Sequence, residues 1–99
     1  MLANMQRLGA LGLEIHITEM DVRIPSPLAP DALERQAEIY RTAMQTCLEA
    51  PNCNTFIIWG LSDAQSWIPW VYPDWGAATI LDEEYQPKPA YWAIHTILK

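Results

Sequence analysis

Two carboxylates, Glu19 and Asp21, stand in the motif ITEMD, inside the β-branched run LEIHITEMDV from Leu13 to Val22. A run of this composition reads as a strand. Side chains alternate between the two faces of a strand, so Leu13, Ile15, Ile17, Glu19 and Asp21 are expected on one face. Glu14, His16, Thr18, Met20 and Val22 are expected on the other. A carboxylate at the C-terminal end of a barrel strand faces the mouth where barrel enzymes do their chemistry. Such a group can attack the anomeric carbon of a sugar and form a covalent glycosyl intermediate. Asp21, about 7 Å further along by strand rise, can orient a neighbour or tune the charge of Glu19. The plainer alternative is a pair of solvated or salt-bridged carboxylates at a strand end. His16, Glu19 and Asp21 are all metal-ligand types, but alternation puts His16 on the opposite face. No HExxH or Cys/His cluster is present either, so no metal is expected.

The aromatic residues are the second signal. Five Trp and four Tyr accompany one Phe. Indole and phenol combine a flat apolar face with a polar tip, which suits partly polar ligands such as sugars. In WGLSDAQSW, Trp59 falls at the end of a second apolar run, Gly60 permits a tight exit, and Trp67 follows in the loop. Two indoles above a carboxylate would form a sugar platform and help to exclude water. Alternatively, the loop packs its own Trp residues on the rim.

These groups must be held by a scaffold. Residues 1–8 read as helical, with Leu2, Met5 and Leu8 on one stripe, and Gly9 and Gly12 break the pattern. After the strand, three prolines between Pro25 and Pro30 exclude regular structure. A helix is expected from about Pro30 to Leu48, with Asp31 and Glu34 at the positive end of its dipole. Leu33, Ala37, Tyr40, Ala43, Met44 and Cys47 form its apolar stripe. A turn at Pro51-Asn52 precedes a second strand, Thr55 to Leu61. A long loop follows from Ser62 to about Gly76, and a last helix runs from near Pro89 towards Leu98. Strands alternating with helices imply an α/β fold with parallel strands and crossover helices. Two strands alone leave both sheet edges open. A βαβα piece of this kind is what the C-terminal end of a (β/α)8 TIM barrel looks like, and such barrels need about 250 residues.

Composition limits the partners. The chain has 99 residues, room for one small domain, and a formal net charge of −6. That balance disfavours nucleic acid, whose binding depends on Lys and Arg neutralising phosphates. No apolar run approaches the roughly 20 residues of a membrane helix, and the first residues, MLANMQRLGALG, lack the pattern of a signal peptide.

ITEMDV, WGLSDAQSW and ILDEEYQPKPAYWAI, in this order and spacing, resemble glycoside hydrolase family 10. The resemblance covers about residues 8–98 and departs mildly from the family pattern at Met20, where Leu is common. It implies that residues 1–99 are the C-terminal part of an endo-1,4-β-xylanase barrel, its strands seven and eight. It implies Glu19 as nucleophile, Asp21 as its support, and Trp59 and Trp67 as cover for the sugar beside the scissile bond. It implies a disulfide between Cys47 and Cys53, hence an oxidising, secreted setting, with two free buried thiols as the alternative. Xylan or a xylo-oligosaccharide is the implied ligand, and no cofactor is implied. The family's acid/base carboxyl belongs to an Asn-Glu pair on strand four, which this chain lacks. The neighbouring family 5 glucanases, which also carry a nucleophilic Glu on strand seven, are one alternative. A non-catalytic piece that associates through its open strand edges is another.

Overall fold

A computed structural model describes residues 1–99. In chain order its elements are helix α1 (Leu2–Gly9), strand β1 (Ile15–Met20), strand β2 (Ile24–Pro25), helix α2 (Ala32–Glu49) and strand β3 (Cys53–Ile58). A 3-10 turn (Asp63–Gln65), helix α3 (Ile68–Val71), strand β4 (Trp75–Gly76) and helix α4 (Pro89–Leu98) follow. No helix is long and apolar enough to cross a membrane.

β1 and β3 pair in parallel, with α2 as the crossover between them. One side of this two-stranded sheet carries the core. Val22, Ala37, Tyr40, Met44, Ala90, Ala93 and Ile94 are buried together, and Met20, Phe56, Ile58, Ile80 and Ile97 pack against them. The apolar stripe of α2 buries Ala37, Tyr40, Ala43, Met44 and Cys47 as its periodicity requires, while Leu33 is only half-buried. Burying one large apolar side chain stabilises by about 1.5–3 kcal/mol, so this layer supplies much of the driving force.

Strict alternation along β1 fails at a bulge. Ile17 aligns with Phe56 and Met20 with Ile58, so β1 carries one residue more than β3 over that interval. Upstream, Ile15 and Ile17 are half-buried while His16 and Thr18 are exposed. Downstream, Met20 is half-buried and Val22 buried, while Glu19 is exposed. The extra residue changes the phase. Glu19 therefore shares the uncovered side with His16 and Thr18, not the side of Ile15 and Ile17. His16 and Glu19, expected on opposite faces, therefore lie on the same side of β1. No three His, Cys, Asp or Glu side chains gather closely enough to hold a metal ion.

The proline-rich stretch also departs from expectation. Ile24 and Pro25 pair antiparallel with Gly76 and Trp75, and the Ser26 N–H donates to the Asp74 carbonyl at 2.9 Å. Proline is tolerated because this ladder is only two residues long and lies at an edge. Both strands end earlier than their apolar runs, at Met20 and Ile58.

Cys47 and Cys53 form a disulfide that ties the last turn of α2 to the first residue of β3. Closing so short a loop is worth roughly 2 kcal/mol in chain-entropy terms. Replacing both cysteines with Ser is expected to lower the unfolding free energy by about that amount, read as a lower urea midpoint.

Candidate active site

The site is built at the C-terminal ends of β1 and β3. The Trp59 N–H donates to the Met20 carbonyl at 2.9 Å, which locks the two strand ends together just beyond the bulge. Trp59 thus directly follows β3, and Gly60 turns the chain with a φ of 112°. An L side chain at that angle would be strained, so glycine is needed for the turn. The Glu19 side chain is exposed beside this turn and takes no hydrogen bond or ion pair from the rest of the chain.

Asp21 is half-buried and accepts a hydrogen bond from the Trp67 indole Nε1–H at 2.8 Å. This bond joins the rim of β1 to a loop 46 residues away. Trp59, Gly60, Gln65 and Trp67 line an open cleft of about 290 Å³. The structure therefore brings Trp59 and Trp67 to one cleft and fixes one wall of it to Asp21. Gln65, which sequence alone did not single out, adds an amide to the cleft lining and donates to the Tyr85 hydroxyl. Its signal is its place in WGLSDAQSW, two residues before Trp67. A roomier cleft of about 400 Å³ lies against α1 and the turn at Pro51-Asn52. It has neither aromatic nor acidic lining, so it is not the candidate.

A buried polar clasp holds the loop that carries Trp67. The Lys88 ammonium donates to Asp63 Oδ2 at 2.9 Å and to the carbonyls of Ala77 and Thr79 at 2.6 and 2.7 Å. Asp63 Oδ1 accepts from the N–H and hydroxyl of Thr79 at 2.9 and 2.8 Å. All three ammonium protons are used. Burial pushes the Lys88 amine below its ordinary value, and the bond and charge of Asp63 oppose that shift. Nearby, the Tyr40 hydroxyl donates to the Ala78 carbonyl at 2.6 Å, and the Gln36 amide donates to the carbonyls of Val22 and Ala77. Burial, with the charges of Asp21 and Asp63, raises the Tyr40 phenol above its ordinary value, so it remains a donor. Ala77 holds a φ of 47°, a costly angle for a residue with a side chain, and its carbonyl is gripped by both Gln36 and Lys88.

Beyond Asp21, the Arg23 guanidinium lies over the rings of Tyr72 and Trp75, at 4.2 and 4.6 Å from their centroids. Tyr72 in turn meets Trp67 edge to face, with centroids 6.0 Å apart. A continuous rim of aromatic and charged groups therefore runs from Asp21 through Trp67 and Tyr72 to Arg23.

The family model of glycosyl hydrolase family 10 matches residues 1–97. The chain belongs to that family. The endo-1,4-beta-xylanase B of Thermotoga neapolitana is 40% identical over 97 residues, which are 97% of this chain and 28% of that protein. The endo-1,4-beta-xylanase 2 of Aureobasidium pullulans is 42% identical over 84 residues, 85% of this chain and 23% of that protein. Among solved structures, xylanase 10B of Thermotoga petrophila in complex with xylobiose superposes with a TM-score of 0.93 at 43% identity. It is matched over 98% of this chain and 30% of that one. The chain matches the C-terminal portion of these (β/α)8 barrels and spans less than a third of their length. Membership sets aside the family 5 alternative.

Two outcomes follow. Lys88→Met leaves the Asp63 carboxylate buried without its cation and is expected to cost about 3–5 kcal/mol in urea unfolding. The pair Asp63→Asn with Lys88→Met is expected to recover much of that loss. Asp21→Asn is expected to shift the Trp67 indole Nε1–H resonance while leaving that of Trp92, remote on α4, in place. Two-dimensional nitrogen–proton NMR checks it.

Proposed function

We propose that this chain carries the nucleophilic half of a retaining endo-1,4-β-xylanase site. Glu19 attacks the anomeric carbon of a xylosyl unit, Asp21 holds Trp67 against the rim, and Trp59 and Trp67 receive the sugar next to the scissile bond. The observation that carries this reading is the juxtaposition at the strand ends: an exposed Glu19 carboxylate, two residues from an aspartate bonded to one wall of a two-tryptophan cleft. The xylobiose bound to the Thermotoga petrophila relative is a ligand of the class this cleft would take.

A retaining mechanism needs a second carboxyl about 5–5.5 Å from the first, to protonate the leaving oxygen and then activate water. Glu14 does not serve. It pairs with His16 at 3.7 Å just before β1, about 16 Å from Glu19 by strand rise. Glu83 and Glu84 lie exposed in the turn before α4. In this reading the acid/base is the Asn-Glu carboxyl of strand four, outside these residues, and the chain alone is expected to be inactive. The open edges of β1 and β3, with Ile57 on β3 and Leu13 just before β1 about half exposed, are the surfaces that further barrel units would cover. Association of two copies through the same edges is a second reading favoured by that exposure; a discrete dimer in size-exclusion chromatography would support it. The disulfide favours an oxidising, extracellular setting.

A fusion tests the assignment. Residues 1–99 are joined behind the remaining barrel units of the Thermotoga neapolitana relative. The expected result is xylan hydrolysis by the fusion, a loss of 1,000-fold or more in kcat for Glu19→Gln, and no hydrolysis by the unfused chain. A fusion equally active with Glu19→Gln would refute the assignment, and Glu19-dependent hydrolysis by the chain alone would refute the half-site.

A further inference from the structure

We propose that Arg23 recognises the carboxylate of a uronic acid branch on the xylan main chain. This rests on the reading of the cleft as a xylan site and adds a substrate class to it.

The chain has six Lys and Arg residues. Arg35 pairs with Asp31, Arg41 with Glu38, and Lys88 is buried on Asp63. Arg7 donates to Asn4 on α1, and Lys99 is the last residue, after α4. Only Arg23 stands on the rim of the candidate site. It is exposed, it has no carboxylate within 4.0 Å, and its guanidinium donates no hydrogen bond within the chain.

It is nevertheless held in place. Tyr72 and Trp75 both lie within 4.6 Å of its central carbon. A cation–π contact acts through the ring quadrupole and uses none of the N–H donors. The fork of donors is thus positioned in advance and remains available to a ligand. A planar guanidinium matches a carboxylate with two parallel, charge-assisted bonds, a geometry that a hydroxyl-only sugar cannot reproduce. Its place is right for a branch. Arg23 follows Asp21 by two residues, and Tyr72 links it to Trp67, the wall of the cleft. A main chain seated on Trp59 and Trp67 would project a substituent towards this rim. In a chain of net charge −6, an anionic branch gains its attraction here from one specific cation and not from the general field.

The test compares three xylo-oligosaccharides of equal length by calorimetric titration of the fused barrel carrying residues 1–99 with Glu19→Gln, which leaves the ligands uncleaved. One is linear, one bears a single glucuronic acid branch, and one bears the same branch reduced to glucose. The glucuronic acid form is expected to bind about tenfold more tightly than the other two, with an advantage that shrinks in high salt. Arg23→Gln should abolish that advantage and leave linear binding unchanged, and Arg23→Lys should keep part of it. Equal affinity for the charged and reduced branches overturns the proposal without any change at Arg23, as does a preference that survives Arg23→Gln. Binding of none of the three contradicts both this inference and the reading of the cleft. Binding of all three alike contradicts this inference alone.

Discussion

The buried ammonium of Lys88 is the constraint on which the working end of the molecule depends. It lies at the start of α4 and ties that helix to Asp63 and to the carbonyls of Ala77 and Thr79. A charge this deep is tolerable only when its donors are all used, and here they are. The pair alone adds little net stability, because desolvation offsets attraction. Its effect is geometric. With Tyr40 and Gln36 holding Ala78 and Ala77 from α2, the clasp anchors the stretch from Ser62 to Leu81 at Asp63 and at Ala77–Thr79. Trp67 lies within that stretch, so the wall of the cleft inherits its place from polar contacts on the far side of the loop.

The second constraint is the bulge in β1. Without the extra residue, one side of the strand would carry both Ile17 and Glu19, and burying the first would bury the second. The bulge lets Met20 and Val22 enter the core while Glu19 stays on the open side. Core side chains and an exposed carboxylate are thus separated within four residues. The sheet has cover on one side only. One layer of helices covers it; Ile57 on β3, and Leu13 and Trp59 flanking the strands, are about half exposed, and the sheet has two free edges. In the barrels of the family this portion is less than a third of the protein.

Much of this was legible in the sequence, and particular residues show where legibility stopped. The stripe of α2 and the two apolar runs follow from periodicity, because helix and strand repeats are local properties. The bulge was not legible. It depends on the register with β3, and ITEMD looks the same with or without it. Gln36 reads as a polar residue beside an apolar stripe, yet it is fully buried because two backbone carbonyls from distant segments meet it there. Asp63 and Lys88 are 25 residues apart, and nothing in either local pattern announces their pairing. The short ladder of β2 with β4 lies inside segments that proline and loop composition marked as irregular. In each case the missing information is a long-range contact that fixes a polar group, and the motifs WGLSDAQSW and KPAY contain the partners without naming them.

The central claim is that Glu19 forms a covalent bond to the sugar. The most direct measurement is mass spectrometry of the completed barrel, with residues 1–99 in place, after incubation with a 2-deoxy-2-fluoro xylobioside bearing a good leaving group. Fluorine beside the anomeric carbon slows departure of the enzyme carboxylate, so the intermediate accumulates. The expected result is a single fluoroxylobiosyl adduct on the peptide containing ITEMD, located at Glu19 and absent in Glu19→Gln. An adduct on another carboxylate, or hydrolysis with no adduct while Glu19→Gln remains active, would contradict it.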